Sequence, residues 1–312
     1  MTGLITTCGG EVYQLPVLLA WEFSYTGGEP CDSFSVRCPY EKEMLDILRR
    51  AVRFTARENG TVRFFGVIDE HEAVCDEKGL WLELSGRGVA ALLMDNEAEA
   101  VTYQRATASE ILRRHVLPYG IRCGGYDNLS ATAPYQVTSG SSEWKVLREF
   151  TRVSGGFSPY FQKDGTLLLT KERSIPDVRL DWNAPVFALR YKEKRYGVIS
   201  EAVVIDKSTR VRQTVRNEDF YARGGQCRRV FYTPAHSGTQ AMRYTGAYQI
   251  DRSKENSELL CVSVAARLDA QPEALVSVSG CRLGLTGNFR IREVVNRFGE
   301  DGETTELTMQ RE

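Results

Sequence analysis

From the N-terminus to about residue 100 the chain alternates apolar and polar positions in short runs, the period of half-buried β-strands. Phe34, Val36 and Cys38 interleave with Ser33, Ser35 and Arg37, and Pro39 stops the run. The segment Glu41 to Ala51 switches to helical spacing, with Met44, Ile47, Leu48 and Ala51 on one face. Glu41 and Glu43 open that segment and Arg49 and Arg50 close it, as the helix dipole favours. A hairpin follows, in which Val52–Arg57 and Thr61–Phe65 flank Asn59-Gly60, a pair suited to the positive φ of a tight turn. Leu80, Leu82 and Leu84 alternate with Trp81, Glu83 and Ser85 as a further strand. Many short strands have edges to protect, and a small closed or nearly closed barrel is the expected solution.

The pattern changes near Val101. Thr107 to Glu110 has capping-box spacing ahead of Ile111, Leu112 and Val116, a short helix ending near Pro118-Tyr119-Gly120. Ser141-Ser142-Glu143 starts a second helix carrying Trp144, Leu147, Phe150 and Thr151 inward, which stops at Gly155-Gly156. Tyr160–Lys163 and Thr166–Leu169 form a second hairpin around Asp164-Gly165. Together these make an α+β middle domain that ends near Pro176 to Trp182. After Pro185 β-patterning returns at Val203 and Ile205, then gives way to a long polar excursion through Gly224-Gly225 to Tyr248. Leu259 to Leu268 is read as a helix despite its β-branched residues. Leu275–Val278, Phe289–Val295 and Thr304–Met309 are strands, the last two joined at Asp301-Gly302. The fold class is therefore mainly β with an α+β insert. Its expected domains are residues 1–100, 101–185 and 186–312, with a polar insertion near 207–252. No unit of about 20–50 residues repeats, which argues against solenoids and propellers.

Composition narrows the functions. Across 312 residues, 40 Lys and Arg nearly balance 41 Asp and Glu, so a polyanion-binding role for the whole chain has no support. The longest early apolar run, Leu15 to Trp21, is broken by Pro16, lacks a basic leader and falls short of the ~20 residues of a membrane span. Synthesis in the cytosol, without a membrane span, is the expectation. Eight scattered cysteines form no CxxC and read as reduced, mostly buried small hydrophobes. The three histidines, His71, His115 and His236, have no metal-ligand spacing to one another or to cysteine, and Cys31 and Cys38 stand too far apart for a zinc hairpin. His115 is read as a partly buried helix residue and His71, between Glu70 and Glu72, as a solvated turn.

Gly86-Arg87-Gly88 hints at a phosphate cradle, but without the rest of a fingerprint it is read as a tight bend after a strand. Lys207, Arg210, Arg212, Arg216, Arg223, Arg228 and Arg229, with Phe220 and Tyr221 among them, suit nucleic acid or an acidic protein. The blander reading, an exposed β-ribbon kept soluble by charge, is preferred. Tyr13, Trp21, Phe23 and Tyr25 suit either a sugar platform or, as preferred, a strand face in a core. No catalytic, cofactor-binding or metal-binding residue is assigned, and no cofactor is expected.

The order of the pieces carries a resemblance. Phe34 to Pro39, a helix, Val52 to Phe65 running into Gly66-Val67-Ile68, then Leu82 to Arg87 and Ala91-Leu-Leu-Met-Asp95 resemble the opening domain of phage tail baseplate hub proteins. That group includes the late-control D proteins and relatives in defective prophages and tailocins. Trp144 to Leu147, Gly155-Gly156 and Asp164 to Leu167 resemble its middle domain. Val276 to Gly280, Leu285 to Phe289, Val294 to Asn296 and Gly302 to Met309 resemble its closing strands. Each piece is degenerate and only their order is specific. Gly287-Asn288 stands where many relatives have Gly-Asp, and Lys207 to Tyr248 matches nothing in the group.

The resemblance implies two small antiparallel β-barrel domains forming a tube-like ring, joined by the middle domain. It implies a homotrimer of pseudo-six-fold shape that joins a hexameric tail tube to a trimeric central spike. The implied partners are tail tube or distal tail proteins, the spike protein and, as a further candidate, the tape-measure protein. Nucleic acid enters only as passage through the lumen. The implied location is a virion or phage-like tail particle. A tail-associated cell-wall-degrading enzyme and a nucleic-acid-binding protein stand as the alternatives.

Overall fold

The computed structural model describes residues 1–27, 32–77, 79–131, 134–172, 175–180, 182, 186–233 and 238–312. Cys31 and His236 lie outside them. The chain forms two compact units, neither of them one continuous stretch. The first holds Met1–Val178, Val264–Ala274 and Ile291–Glu306; the second holds Arg179–Ser263, Leu275–Arg290 and Leu307–Glu312.

The first unit begins with β1 (Thr2–Thr7), β2 (Val12–Gln14), β3 (Ala20–Thr26), β4 (Ser33–Pro39), α1 (Met44–Leu48), β5 (Ala51–Glu58), β6 (Thr61–Asp76), β7 (Gly79–Gly88) and α2 (Ala91–Met94). The middle region adds β8 (Val101–Tyr103), α3 (Ala108–His115), β9 (Cys123–Tyr126), β10 (Tyr135–Val137), α4 (Glu143–Gly155), β11 (Tyr160–Phe161) and β12 (Leu167–Leu169). The second unit contains β13 (Val186–Glu193), β14 (Glu201–Asp206), β15 (Arg212–Arg216), α5 (Glu218–Ala222), β16 (Arg228–Thr233), α6 (Thr239–Lys254), most of β17 (Glu258–Val264) and β18 (Leu275–Val278). Two long closing strands, β19 (Gly287–Gly299) and β20 (Gly302–Arg311), contribute residues to both units.

In the first unit the strands run in the order β20-β19-β3-β4-β7-β6-β5-β1-β2. From β19 to β2 every pairing is antiparallel. Alternation sends Trp21, Phe23 and Tyr25 of β3, Phe34 of β4, Phe54 of β5 and Phe64 of β6 to one face, all buried. Phe23 and Phe54 lie four strand steps apart in this order. In a flat sheet that separation would be about 19 Å. Their ring centroids are 6.5 Å apart, and those of Phe34 and Phe54 only 4.3 Å. The sheet is therefore rolled around its own aromatic face. Among the described residues the roll does not close by hydrogen bonds; the path ends at the three-residue strand β2, so of the expected closed or nearly closed barrel the closed form is not found.

The hairpin turns follow their local chemistry. Asn59 and Gly60 take φ of 48° and 79°, and Gly165 takes 78° in the β11–β12 turn. Helix α3 is capped by Thr107, whose hydroxyl accepts from the Glu110 amide, and α4 by Ser142, which accepts from the Lys145 amide. Ile111, Leu112, Trp144, Leu147 and Phe150 of these helices pack with Leu167 and Leu169 of β12 in a separate apolar cluster.

Four local expectations are corrected. The helix at 41–51 shrinks to Met44–Leu48, because Ala51 already belongs to β5. Leu259 to Leu268 is not a helix. Strand β17 occupies its first part with Leu260, Val262 and Val264 buried in alternation, the arrangement its β-branched residues prefer. His71 sits in β6 opposite Leu84, not in a turn. The polar excursion is a folded α/β element: β15-β14-β16 form a mixed sheet, with β14 antiparallel to β15 and parallel to β16. Helix α6 covers one face of it, where Gly246 lets the helix approach Val215 and Val204.

Two glycines set how tightly the first sheet rolls. A methyl on Gly86 would fall 2.0 Å from the Val67 carbonyl oxygen, and one on Gly66 would fall 2.1 Å from that of Arg87. Both obstacles are backbone, so the strands themselves would have to part. Gly86→Ala is expected to cost about 3 kcal/mol in denaturant unfolding, at the upper end of overpacking penalties. Gly125→Ala, whose methyl meets nothing nearer than 4.0 Å, is expected to stay near wild type.

Candidate functional site

Helix capping and apolar spacing bring α3 and α4 together and bury His115 and Glu143 between them. His115 Nδ1 lies 2.5 Å from Glu143 Oε2, and its Nε2 lies 2.8 Å from the Tyr103 hydroxyl. In the tautomer that donates from Nδ1, Nε2 accepts from Tyr103. The Tyr119 hydroxyl donates to the other carboxylate oxygen at 3.1 Å. A His–Glu pair has the makings of a general base, but here each of its side-chain polar atoms is already bonded to the protein. The network braces α3, α4 and β8.

Gly86-Arg87-Gly88 is part of β7 and is not a bend. Arg87 Nε and Nη2 donate to the two Asp69 oxygens at 2.7 and 2.9 Å, and Nη1 and Nη2 donate to Asp95 at 3.1 and 2.7 Å. A guanidinium shared by two carboxylates has no donor directed at a phosphate. Those hydrogen bonds from Arg87 hold the Asp95 carboxyl below its ordinary range. The aromatic run at the N-terminus is core: Trp21, Phe23 and Tyr25 are buried, and the Tyr25 hydroxyl donates to the Arg63 carbonyl at 2.6 Å. Among the described residues no group of three or more His, Cys, Asp and Glu is arranged to hold a metal ion.

A small cavity of about 30 Å³ lies among Tyr25, Asp32, Phe64, Trp144, Phe161 and Lys163, room for roughly one water. Asp32 accepts from the Thr26 amide at 2.8 Å, while its own carbonyl accepts from the Gly88 amide at 2.7 Å. Burial pushes its carboxyl up to about 6, against the opposing hydrogen bonds from Thr26 and the charge of Lys163.

The basic stretch is divided by the second unit's sheet. On the face away from α6, Arg216 Nε and Arg228 Nε donate to the two Glu201 oxygens at 3.1 and 2.5 Å. Arg212 shares that face by register. Arg229 falls on the opposite face, and Arg223 pairs with Glu193 at 3.1 Å. Lys207 and Arg210 occupy the β14–β15 turn, where the Asp206 carboxylate accepts from the Ser208 and Thr209 amides. Phe220 is buried, and Arg216 lies 5.1 Å over the ring of Tyr221. A backbone-tracking groove needs its cations along one path and its aromatic faces open to bases. These cations are dispersed instead. Beside Arg212, Arg216 and Arg228 that face also exposes apolar side chains, Val230 at 48% and Tyr232 at 56%. Sequence reasoning missed this element; Met242, Gly246 and Ile250, spaced by four along α6 and buried, were the readable signal.

Over the whole length, the described fold matches solved tail proteins. The 43 kDa tail protein of prophage MuSo2 from Shewanella oneidensis matches with a TM-score of 0.79 at 16% identity, covering 100% of this chain and 98% of that one. The tail protein from Neisseria meningitidis MC58 matches at 0.75 and 17% identity, covering 100% and 96%. This chain has the fold of prophage tail proteins. A third likeness, at 0.57 and 14% identity, covers 99% of this chain and 76% of an E. coli type VI secretion component described as similar to the T4 tail proteins gp27 and gp5. No family model matches the sequence, and no curated protein does. With identities this low, the tail-protein fold rests on shape and not on shared motifs.

The position of Asp32 makes stability depend on pH. The fold favours the protonated carboxyl, so folding takes up a proton between the ordinary carboxylate range and about 6. Stability contributed by the neutral form is fully present below that window and is lost as pH rises through it. Asp32→Asn is expected to flatten this part of the profile in urea unfolding across pH 4 to 7, with little change at the acid end.

Proposed function

We propose that this chain is a structural hub component of a phage tail or phage-like particle. The observation that carries the proposal is the two-way, full-length likeness to prophage tail proteins. A fragment of a larger enzyme sharing one module would cover only part of its match. The likeness to a secretion component itself described as similar to gp27 and gp5 points to the hub end of the tail.

In this reading three copies form a ring. Residues 1–100 and 186–312 supply two β lobes per copy, joined by 101–185, so that three chains present six similar surfaces. Such a ring meets a hexameric tail tube on one side and a trimeric central spike on the other. The principle is geometric: repeated interfaces set the symmetry, and two lobes per chain double it. The partners are tube or distal tail proteins and the spike, with the tape-measure protein as a further candidate. The chain is made in the bacterial cytoplasm and carried in the particle.

Light scattering of the purified protein is expected to give three times the 35.1 kDa chain mass, with rings in negative stain when tube protein is added. Antibody labelling of whole particles is expected at the junction of tube and spike. A monomer that forms no ring with tube protein present, together with unlabelled particles, would overturn the proposal.

A further inference from the structure

The near-zero charge of the chain conceals a division between its units. The second unit has 18 Lys and Arg against 10 Asp and Glu, a formal +8. The remaining 22 basic and 31 acidic residues leave the first unit at −9, which together restore the −1 of the whole chain. Charge of one sign works against the compactness of each unit, whereas units of opposite charge on different copies attract one another.

Each unit has a strand edge that no strand flanks among the described residues. In the first unit β5 accompanies β6 only from Thr61 to Val67, while β7 follows it from Gly66 to Asp76. A bulge between Ile68 and Glu70 marks the departure, and Asp69 at that point is held by Arg87. From Glu70 to Asp76 no strand flanks the outer edge among the described residues. Glu70, His71, Glu72, Ala73, Cys75 and Asp76 are all exposed, so the strand is uncovered on both faces as well. Glu70 and Glu72 make no ion pair among the described residues.

In the second unit β16 pairs with β14 along one side, and no strand flanks its other side among the described residues. Arg228, Arg229, Val230 and Tyr232 are exposed along it. An exposed edge with apolar residues is a template for another strand unless charge repels the newcomer. Here the charge is positive, and it repels only partners of its own sign.

We propose that copies of this chain associate head to tail, the acidic outer edge of β6 in one copy pairing with the basic outer edge of β16 in the next. Main-chain hydrogen bonds supply the contact; Glu70, Glu72 and Val74 share one face of β6 and meet the face of β16 that carries Arg228, Val230 and Tyr232, while Arg229 on the other face adds to the positive charge of the edge. Because each copy carries one edge of each kind, the contact is heterologous and repeats, closing into a ring where the rotation allows. It rests on the hub reading only in that both require more than one copy.

The test uses the full chain in sedimentation velocity at low and high salt. Two variants are compared, Glu70→Lys with Glu72→Lys, and Arg229→Glu with Val230→Glu. Arg228 is left in place because it holds Glu201. Circular dichroism first establishes that both are folded. Wild-type association is expected to weaken with salt, and each variant to associate about tenfold or more weakly than wild type. Mixing the two variants is expected to restore association in pairs and even-numbered assemblies, since each variant then meets its complement, while a three-membered ring keeps one mismatched contact.

Association unchanged by either variant, or no recovery on mixing, would overturn the edge pairing; if particles are still labelled at the tube–spike junction, the hub reading survives it. Edge-dependent association in a protein absent from particles would do the reverse. A wild type that stays monomeric at every concentration, with and without tube protein, would overturn both.

Discussion

The structure depends on burying a set of aromatic rings that no flat sheet could cover. Phe23, Phe34, Phe54 and Phe64 come from four different strands, and Phe23 and Phe34 each meet both Phe54 and Phe64 with ring centroids 4.3 to 6.5 Å apart. Only rolling brings them together, and the area removed from water, of order 25 cal/mol per Å2 of apolar surface, repays the bend. Rolling requires close backbone passage, which Gly66 and Gly86 permit on neighbouring strands. The bulge at Ile68 to Glu70 lies beside this crossing, and beyond it β6 runs on without β5.

The same corner explains a phrase that reads as arbitrary along the chain. Arg87 leaves the tightly passing strand, reaches Asp69 at the bulge, and then holds Asp95 at the end of α2. The glycines, the arginine, the leucine-rich turn and the distant aspartate are one mechanical unit. They fasten the bulge to the helix that leads into the middle region. Exposed ion pairs of this kind add little stability singly, but two carboxylates sharing one forked guanidinium fix an orientation.

The second unit shows how charge and folding coexist in a polar stretch. Its strands β14 to β16 have a buried centre in Ala202, Val203 and Val204, and Glu201 draws two arginines from neighbouring strands onto one carboxylate. The apolar contribution of α6 comes from a narrow row at Met242, Gly246 and Ile250, while Tyr244 and Tyr248 stay exposed. That distribution leaves the helix with little amphipathic contrast, so the four-residue spacing of this row is the one periodic signal it carries.

Much of the architecture was legible in the sequence, because local chemistry decides turns and caps. Asn59-Gly60, Asp164-Gly165, Thr107 and Ser142 each act through a φ angle or a single hydrogen bond to a near neighbour. Alternation likewise assigned Trp21 to Tyr25 to a core face, and the order of the pieces pointed to the tail-protein fold. Tertiary structure alone decided the rest. Whether Leu259 to Leu268 is helix or strand depends on partners far away in sequence, and β17 resolved it by pairing. The lost turns of α1 went to β5 for the same reason, since ladder hydrogen bonds outweigh weak helical preference. The roll of the sheet, the His115–Glu143 brace and the stretch of β6 beyond β5 all arise from which strands become neighbours. No window of the sequence contains that information, because it is set by burial summed over the whole chain.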